Sequence, residues 1–183
     1  MRTRNLTIAA VAAGLALVPA TAASAAPAAS PTVPAIPHGL QWEPFRSSPF
    51  TSPAGRNCAF NLSAVPVRDE EEIATLATFP DGSPRLQVIR GDLRVRYTNT
   101  DTGAAVEKDL NGVGFVETGA DGSFTYRFIG PALVGIRPTD PFPKGPGYWE
   151  LNGYHEFYIA PGGAYREMRV DLGSEHNVCT DID

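Results

Sequence analysis

Long apolar runs, cysteine, histidine and positive charge are all scarce in this 183-residue chain, and each shortage excludes something. The apolar run over residues 6–18 is too short for a bilayer-spanning helix, which needs about 20 apolar residues. Lys and Arg together number 15 against 20 Asp and Glu, for a formal charge of −5. A net-negative surface repels nucleic acid and anionic lipid, so no nucleic-acid partner is expected. Signatures of known chemistry are absent too. There is no G-x-S-x-G elbow, no H-E-x-x-H, no C-x-x-C and no glycine-rich phosphate loop before a helix. His155 and Glu156 are adjacent, so on a strand they point to opposite faces and cannot share a metal. The acidic run at residues 69–72 lacks the alternating ligands and turn glycine of a calcium loop. The spacing therefore gives no catalytic residue, no metal and no cofactor. Helical periodicity is missing as well.

What the chain does contain begins with an export signal. Arg2 and Arg4 precede the apolar run, and Ala23 and Ala25 supply an A-x-A cleavage pattern, placing the cut after Ala25. No Cys follows that cut, which argues against a lipid anchor. The expected organisation is a signal peptide at 1–25, a Pro/Ala-rich leader at 26–56 and a single antiparallel β domain at 57–183. The protein is then secreted, with no membrane span after processing. Removing the signal deepens the negative charge, because it carries two Arg and no acid. The only two cysteines, Cys58 and Cys179, lie near the two ends of the folded part. An even count in an exported chain predicts one disulfide between them.

Proline is frequent in the leader, where it removes backbone donors, and residues 26–37 hold too few large apolar groups to order themselves. Leu40, Trp42, Phe45 and Phe50 are placed to tack its second half onto the domain. From Cys58 onward, turn signals recur at Asp81-Gly82, Thr100-Asp101-Thr102-Gly103, Asp121-Gly122 and Pro161-Gly162-Gly163, with a longer loop over 138–147. A turn every 20 residues or so implies strands of about 10 or more. Between the turns, apolar and polar residues alternate. Leu93, Val95 and Tyr97 oppose Arg94, Arg96 and Thr98; Met168, Val170 and Leu172 oppose Glu167, Arg169 and Asp171. Period-two patterning with one polar side predicts an all-β, antiparallel up-and-down meander. Interior glycines (Gly91, Gly114, Gly130, Gly135, Gly153) are read as bulges or bends of a curled sheet. A bridge between the sheet's ends favours a closed or nearly closed barrel of about eight strands, with a β-sandwich as the alternative.

One hairpin fixes a register. A four-residue loop over 100–103 pairs Asn99 with Ala104, which sets Tyr97 against Val106, Arg96 against Glu107 and Arg94 against Asp109. A one-residue slip buries charge beside apolar groups. Lys108 then falls on the apolar face opposite Val95, and its ammonium is expected to reach water.

The motifs Thr78-Phe79-Pro80-Asp81-Gly82, Thr98-Asn99-Thr100-Asp101-Thr102-Gly103, Gly119-Ala120-Asp121-Gly122-Ser123 and the terminal Cys pair resemble an uncharacterised family of small secreted actinobacterial β-proteins. The resemblance spans roughly 57–180 and implies fold and export but no activity. In outline the architecture is similar to lipocalin and allene-oxide-cyclase barrels, by analogy alone.

Two surfaces are candidates for binding. On the apolar face of one strand, His155 sits beside Trp149 and Phe157, and with Tyr126 these suit a cavity for a small apolar ligand. On the opposite face, Tyr148, Tyr154 and Tyr158 alternate with Glu150 and Glu156, a row suited to a cell-envelope component or a protein surface. Three readings stay open: a non-enzymatic binding module, a cyclase- or isomerase-type barrel enzyme using His155 and tyrosine hydroxyls, and a structural envelope protein.

Overall fold

A computed structural model describes residues 32–183; the expected signal peptide and the start of the Pro/Ala-rich stretch lie outside the described residues. Alternation and turn chemistry produce ten strands: β1 (Glu43–Pro44), β2 (Phe50–Ser52), β3 (Leu62–Thr78), β4 (Pro84–Asn99), β5 (Ala105–Asp109), β6 (Val113–Thr118), β7 (Phe124–Ile129), β8 (Ala132–Ile136), β9 (Gly147–Ile159) and β10 (Arg166–Asn177). Among the described residues, helix is confined to two 3-10 turns, Pro161–Gly163 and Val178–Asp181. None is long or apolar enough to cross a membrane.

The turns work as the sequence predicts. Asp81 accepts hydrogen bonds from the backbone N–H and hydroxyl of Ser83, and Asp121 accepts one from the Ser123 N–H. The next position, Gly82 or Gly122, adopts the positive φ that such a turn requires. At the β4–β5 hairpin the Asn99 carbonamide accepts from the N–H groups of Asp101 and Thr102, and Asn99 N donates to Ala104 O at 2.8 Å. Tyr97 faces Val106, Arg96 faces Glu107 and Arg94 faces Asp109, the register that the alternation selects.

Strand order departs from a simple meander. The hydrogen-bonded path runs β1-β3-β4-β6-β7-β9-β10, all antiparallel, with β2 beside β3, β5 beside β4 and β8 beside β9. The strands longer than ten residues are β3, β4, β9 and β10; β5 to β8 have only five or six. A long strand has room for two partners. One half of β4 pairs β6 and the other β5, while one half of β9 pairs β7 and the other β8. The path ends at β1 and β10, so the sheet is not closed by hydrogen bonds.

Bulges also fall elsewhere than expected. Register shifts occur at Pro66/Arg68, around Ala77 and at Met168/Val170, none at an interior glycine. The shift in β10 splits the face predicted for it. Met168 packs against the core, whereas Leu172 is 55 % exposed.

Three apolar clusters hold the sheet. The first joins Leu62, Leu93, Val95 and Tyr97 to Tyr148, Val178 and Ile182, and contains the Cys58–Cys179 disulfide, which closes a separation of 121 residues. The second gathers Val134, Ile136, Trp149, Leu151 and Phe157 under Phe142. The third is Ala74, Val88 and Phe115, covered by Leu40 and Trp42 from the leader. Trp42 also lies 3.8 Å beneath the Arg90 guanidinium. The second half of the leader is thus held by its large apolar residues.

Candidate functional site

A cavity of about 600 Å³ lies over one face of the sheet and is lined mainly by apolar side chains. Its wall follows from alternation and register. Leu93, Val95 and Tyr97 project from one face of β4, and the ladder sets Pro66 against Val95 and Ala64 against Tyr97. Further along, Gly114 stands opposite both Ile89 and Phe128, and Val116 stands opposite Tyr126. With no side chain at Gly114, the Phe128 ring approaches to 3.6 Å of where a Cβ would be. Tyr126 and Phe128 stack at 5.8 Å, giving that wall a flat aromatic surface. Pro131, Ala132 and Leu133 line the side where β5 and β8 have no hydrogen-bonded contact with each other.

The leader supplies the polar end. Residues 45–50 run past β3, where Phe45 N donates to Glu71 O at 2.9 Å and Ser47 N donates to Asp69 Oδ2 at 2.7 Å. The Ser47 hydroxyl donates to Glu71 Oε2 at 2.7 Å. Burial pushes the Glu71 carboxyl above the usual range; the Ser47 bond opposes this and the Asp69 charge reinforces it. Burial likewise raises the phenols of Tyr97, strongly, and Tyr126. The lining is therefore an apolar wall with one carboxyl, two serine hydroxyls and Arg46 at one end. Such a lining has the chemistry to take an uncharged apolar body and to hydrogen-bond a polar end.

Of the four residues expected to line a ligand site, the fold brings only Tyr126 to this cavity. Phe157 lies opposite Tyr126 in the ladder but packs into the second cluster with Trp149, whose indole meets Phe142 edge-on at 5.3 Å. His155 is fully buried, opposite Phe128 on one side and Asp171 on the other. Of the tyrosine row expected to face outward, Tyr148 does not. Tyr148 is buried against Phe50, centroids 5.5 Å apart, because its half of β9 packs onto the Tyr97 cluster. Tyr154 and Tyr158 remain partly exposed, with Tyr158 lying under the Arg169 guanidinium at 3.5 Å.

Sequence reasoning missed Glu71 and Ser47, because the acidic run reads as solvated charge and the contacts that bury Glu71 span 24 residues. It also missed that the fold brings one nitrogen or oxygen each of His155, Asp171 and Glu175 within 4.8 Å of one another. Comparison with family models, curated proteins and solved structures finds no match to this chain.

Proposed function

We propose that this chain is a secreted, non-enzymatic binding module that carries a small, largely apolar molecule in the cavity beside Tyr126 and Phe128. The observation that carries the reading is the cavity itself. Its volume of about 600 Å³ falls within the about 300–1,000 Å³ of ligand sites, and its lining is apolar except at the Glu71 end. The export pattern at residues 1–25 and the disulfide both suit an oxidising compartment. A sheet curled around this face is the nearly closed barrel that best fits such a role. The molecule most compatible with the lining has an apolar body and a hydroxyl or amide that bonds to Glu71 or Ser47. The barrel-enzyme reading loses its main support, because His155 does not line the cavity.

The test is fluorescence titration of the purified protein with the apolar probe N-phenyl-1-naphthylamine. Binding is expected, and Val116→Trp, which fills the cavity from its wall, is expected to abolish it while leaving the circular dichroism unchanged. Leu172→Ser, which removes an exposed apolar side chain elsewhere, should bind as the parent does. Failure of the parent protein to bind, or unchanged binding by a folded Val116→Trp, overturns the proposal.

A further inference from the structure

Beside the second cluster, on the β9–β10 pair, the chain carries a group of side chains that the cavity does not use. His155 of β9 is fully buried and stands directly across the ladder from Asp171 of β10. Glu175 follows four residues later on β10, which returns it to the same strand face as Asp171. Its side chain is only 3 % exposed. The ring nitrogen and the two carboxylates offer one oxygen or nitrogen each within 4.8 Å of one another.

The protonation pattern is set by the surroundings. His155 Nε2 lies 3.3 Å from the Asn152 carbonyl oxygen, which can only accept, so Nε2 carries the hydrogen. Nδ1 then presents its lone pair. It is buried, has no hydrogen-bond partner, and lies 3.4 Å from Asp171 Oδ1. Glu175 Oε1 is also buried without a partner, while its Oε2 is held by the Lys144 ammonium. Buried polar atoms are normally satisfied, so an unsatisfied ring nitrogen and an unsatisfied Glu175 oxygen beside the Asp171 carboxylate call for a cation between them.

We infer that His155, Asp171 and Glu175 form a binding site for one divalent ion of the zinc class. A histidine that donates its other N–H to a backbone carbonyl is in the state that metal-binding histidines adopt. One imidazole and two carboxylates select a borderline ion such as Zn²⁺ or Co²⁺ over Ca²⁺, which takes oxygen ligands. The 3.4 Å separation of Nδ1 and Oδ1 fits ligands on a tetrahedral ion at bond lengths of about 2.0–2.2 Å. Lys144 fixes the Glu175 carboxylate and leaves its other oxygen free to coordinate. Asp171 is 40 % exposed, which gives the ion a way in. Three protein donors leave a fourth position for water.

The experiment is isothermal titration of the metal-stripped, tag-free protein with Zn²⁺, paralleled by visible absorption on adding Co²⁺. One ion per chain is expected, with the intense absorption of a four-coordinate cobalt site. Asp171→Asn and Glu175→Gln are each expected to weaken binding by about tenfold or more. Asp171 is exposed enough for its variant to fold, and circular dichroism checks both. No binding by the parent protein, binding unchanged in both folded variants, or Ca²⁺ binding as tightly as Zn²⁺ overturns the site.

Discussion

Gly153 and Gly173 stand directly opposite each other in the β9–β10 ladder. Gly153 has φ +116°, and a Cβ there would lie 2.5 Å from Leu172 O. A Cβ on Gly173 would overlap the Asn152 carbonyl and come within 2.9 Å of His155 Nε2. The two strands therefore approach at this point only because neither residue has a side chain. Gly173→Ala should cost about 3 kcal/mol through overpacking, measured by urea unfolding. Gly82→Ala, whose Cβ would meet open space, should cost about 1 kcal/mol for its positive φ alone. Equal losses in the two variants would show that the crossing is not tight.

Asp140 gives the fold an acid-sensitive joint. Its side chain is fully buried in a bidentate pair with Arg137, and it accepts from the backbone N–H groups of Arg137 and Arg166 at 2.7 and 2.9 Å. Burial alone would raise its carboxyl, but these bonds outweigh burial and hold it below the usual range. A folded-state pKa below the unfolded one adds stability that is complete above the unfolded value. That stability disappears as pH falls through the lowered value. Asp140→Asn should cost about 2 kcal/mol at pH 7, and the difference from the parent should shrink in acid, as followed by denaturant titrations across pH.

Lys108 corrects an expectation and yields a prediction. Its ammonium is held between two carboxylates instead of being left to water alone. It lies 2.8 Å from Asp181 and 3.2 Å from Glu150, with the side chain only 15 % exposed. Lys108→Met leaves two carboxylates side by side and should destabilise by about 1–3 kcal/mol. Adding Asp181→Asn should return part of that loss, which thermal melts of the single and double variants would reveal.

How much of this was legible in the sequence follows the range of the interactions. The Asn99–Gly103 turn and its register are local, so the alternation of Tyr97, Val95 and Leu93 against Val106 and Asp109 against Arg94 was enough to read them. The disulfide was legible because only two cysteines were present. Strand order was not. Nothing local distinguishes β5, which stops at Asp109, from a strand continuing across the sheet, and the pairing of Gln87 with Val116 is set by the whole β4–β6 contact. The site residues fared as their neighbourhoods did. Tyr126 was placed by its own strand's alternation, whereas His155 depends on Asp171 and Glu175, whose approach rests on a β10 register displaced by the Met168/Val170 bulge.

The Cys58–Cys179 bond spans 121 residues, nearly the whole folded region. On the chain-entropy account, closing a loop of that size contributes about 4–5 kcal/mol, against about 5–15 kcal/mol for the total stability of a typical domain. A chain whose thiols are still reduced therefore lacks a contribution that is a large share of a typical domain's stability. On the export reading this sets an order of events. A chain exported in reduced form would be easier to unfold for passage through a membrane, and oxidation on the far side would then latch the finished sheet.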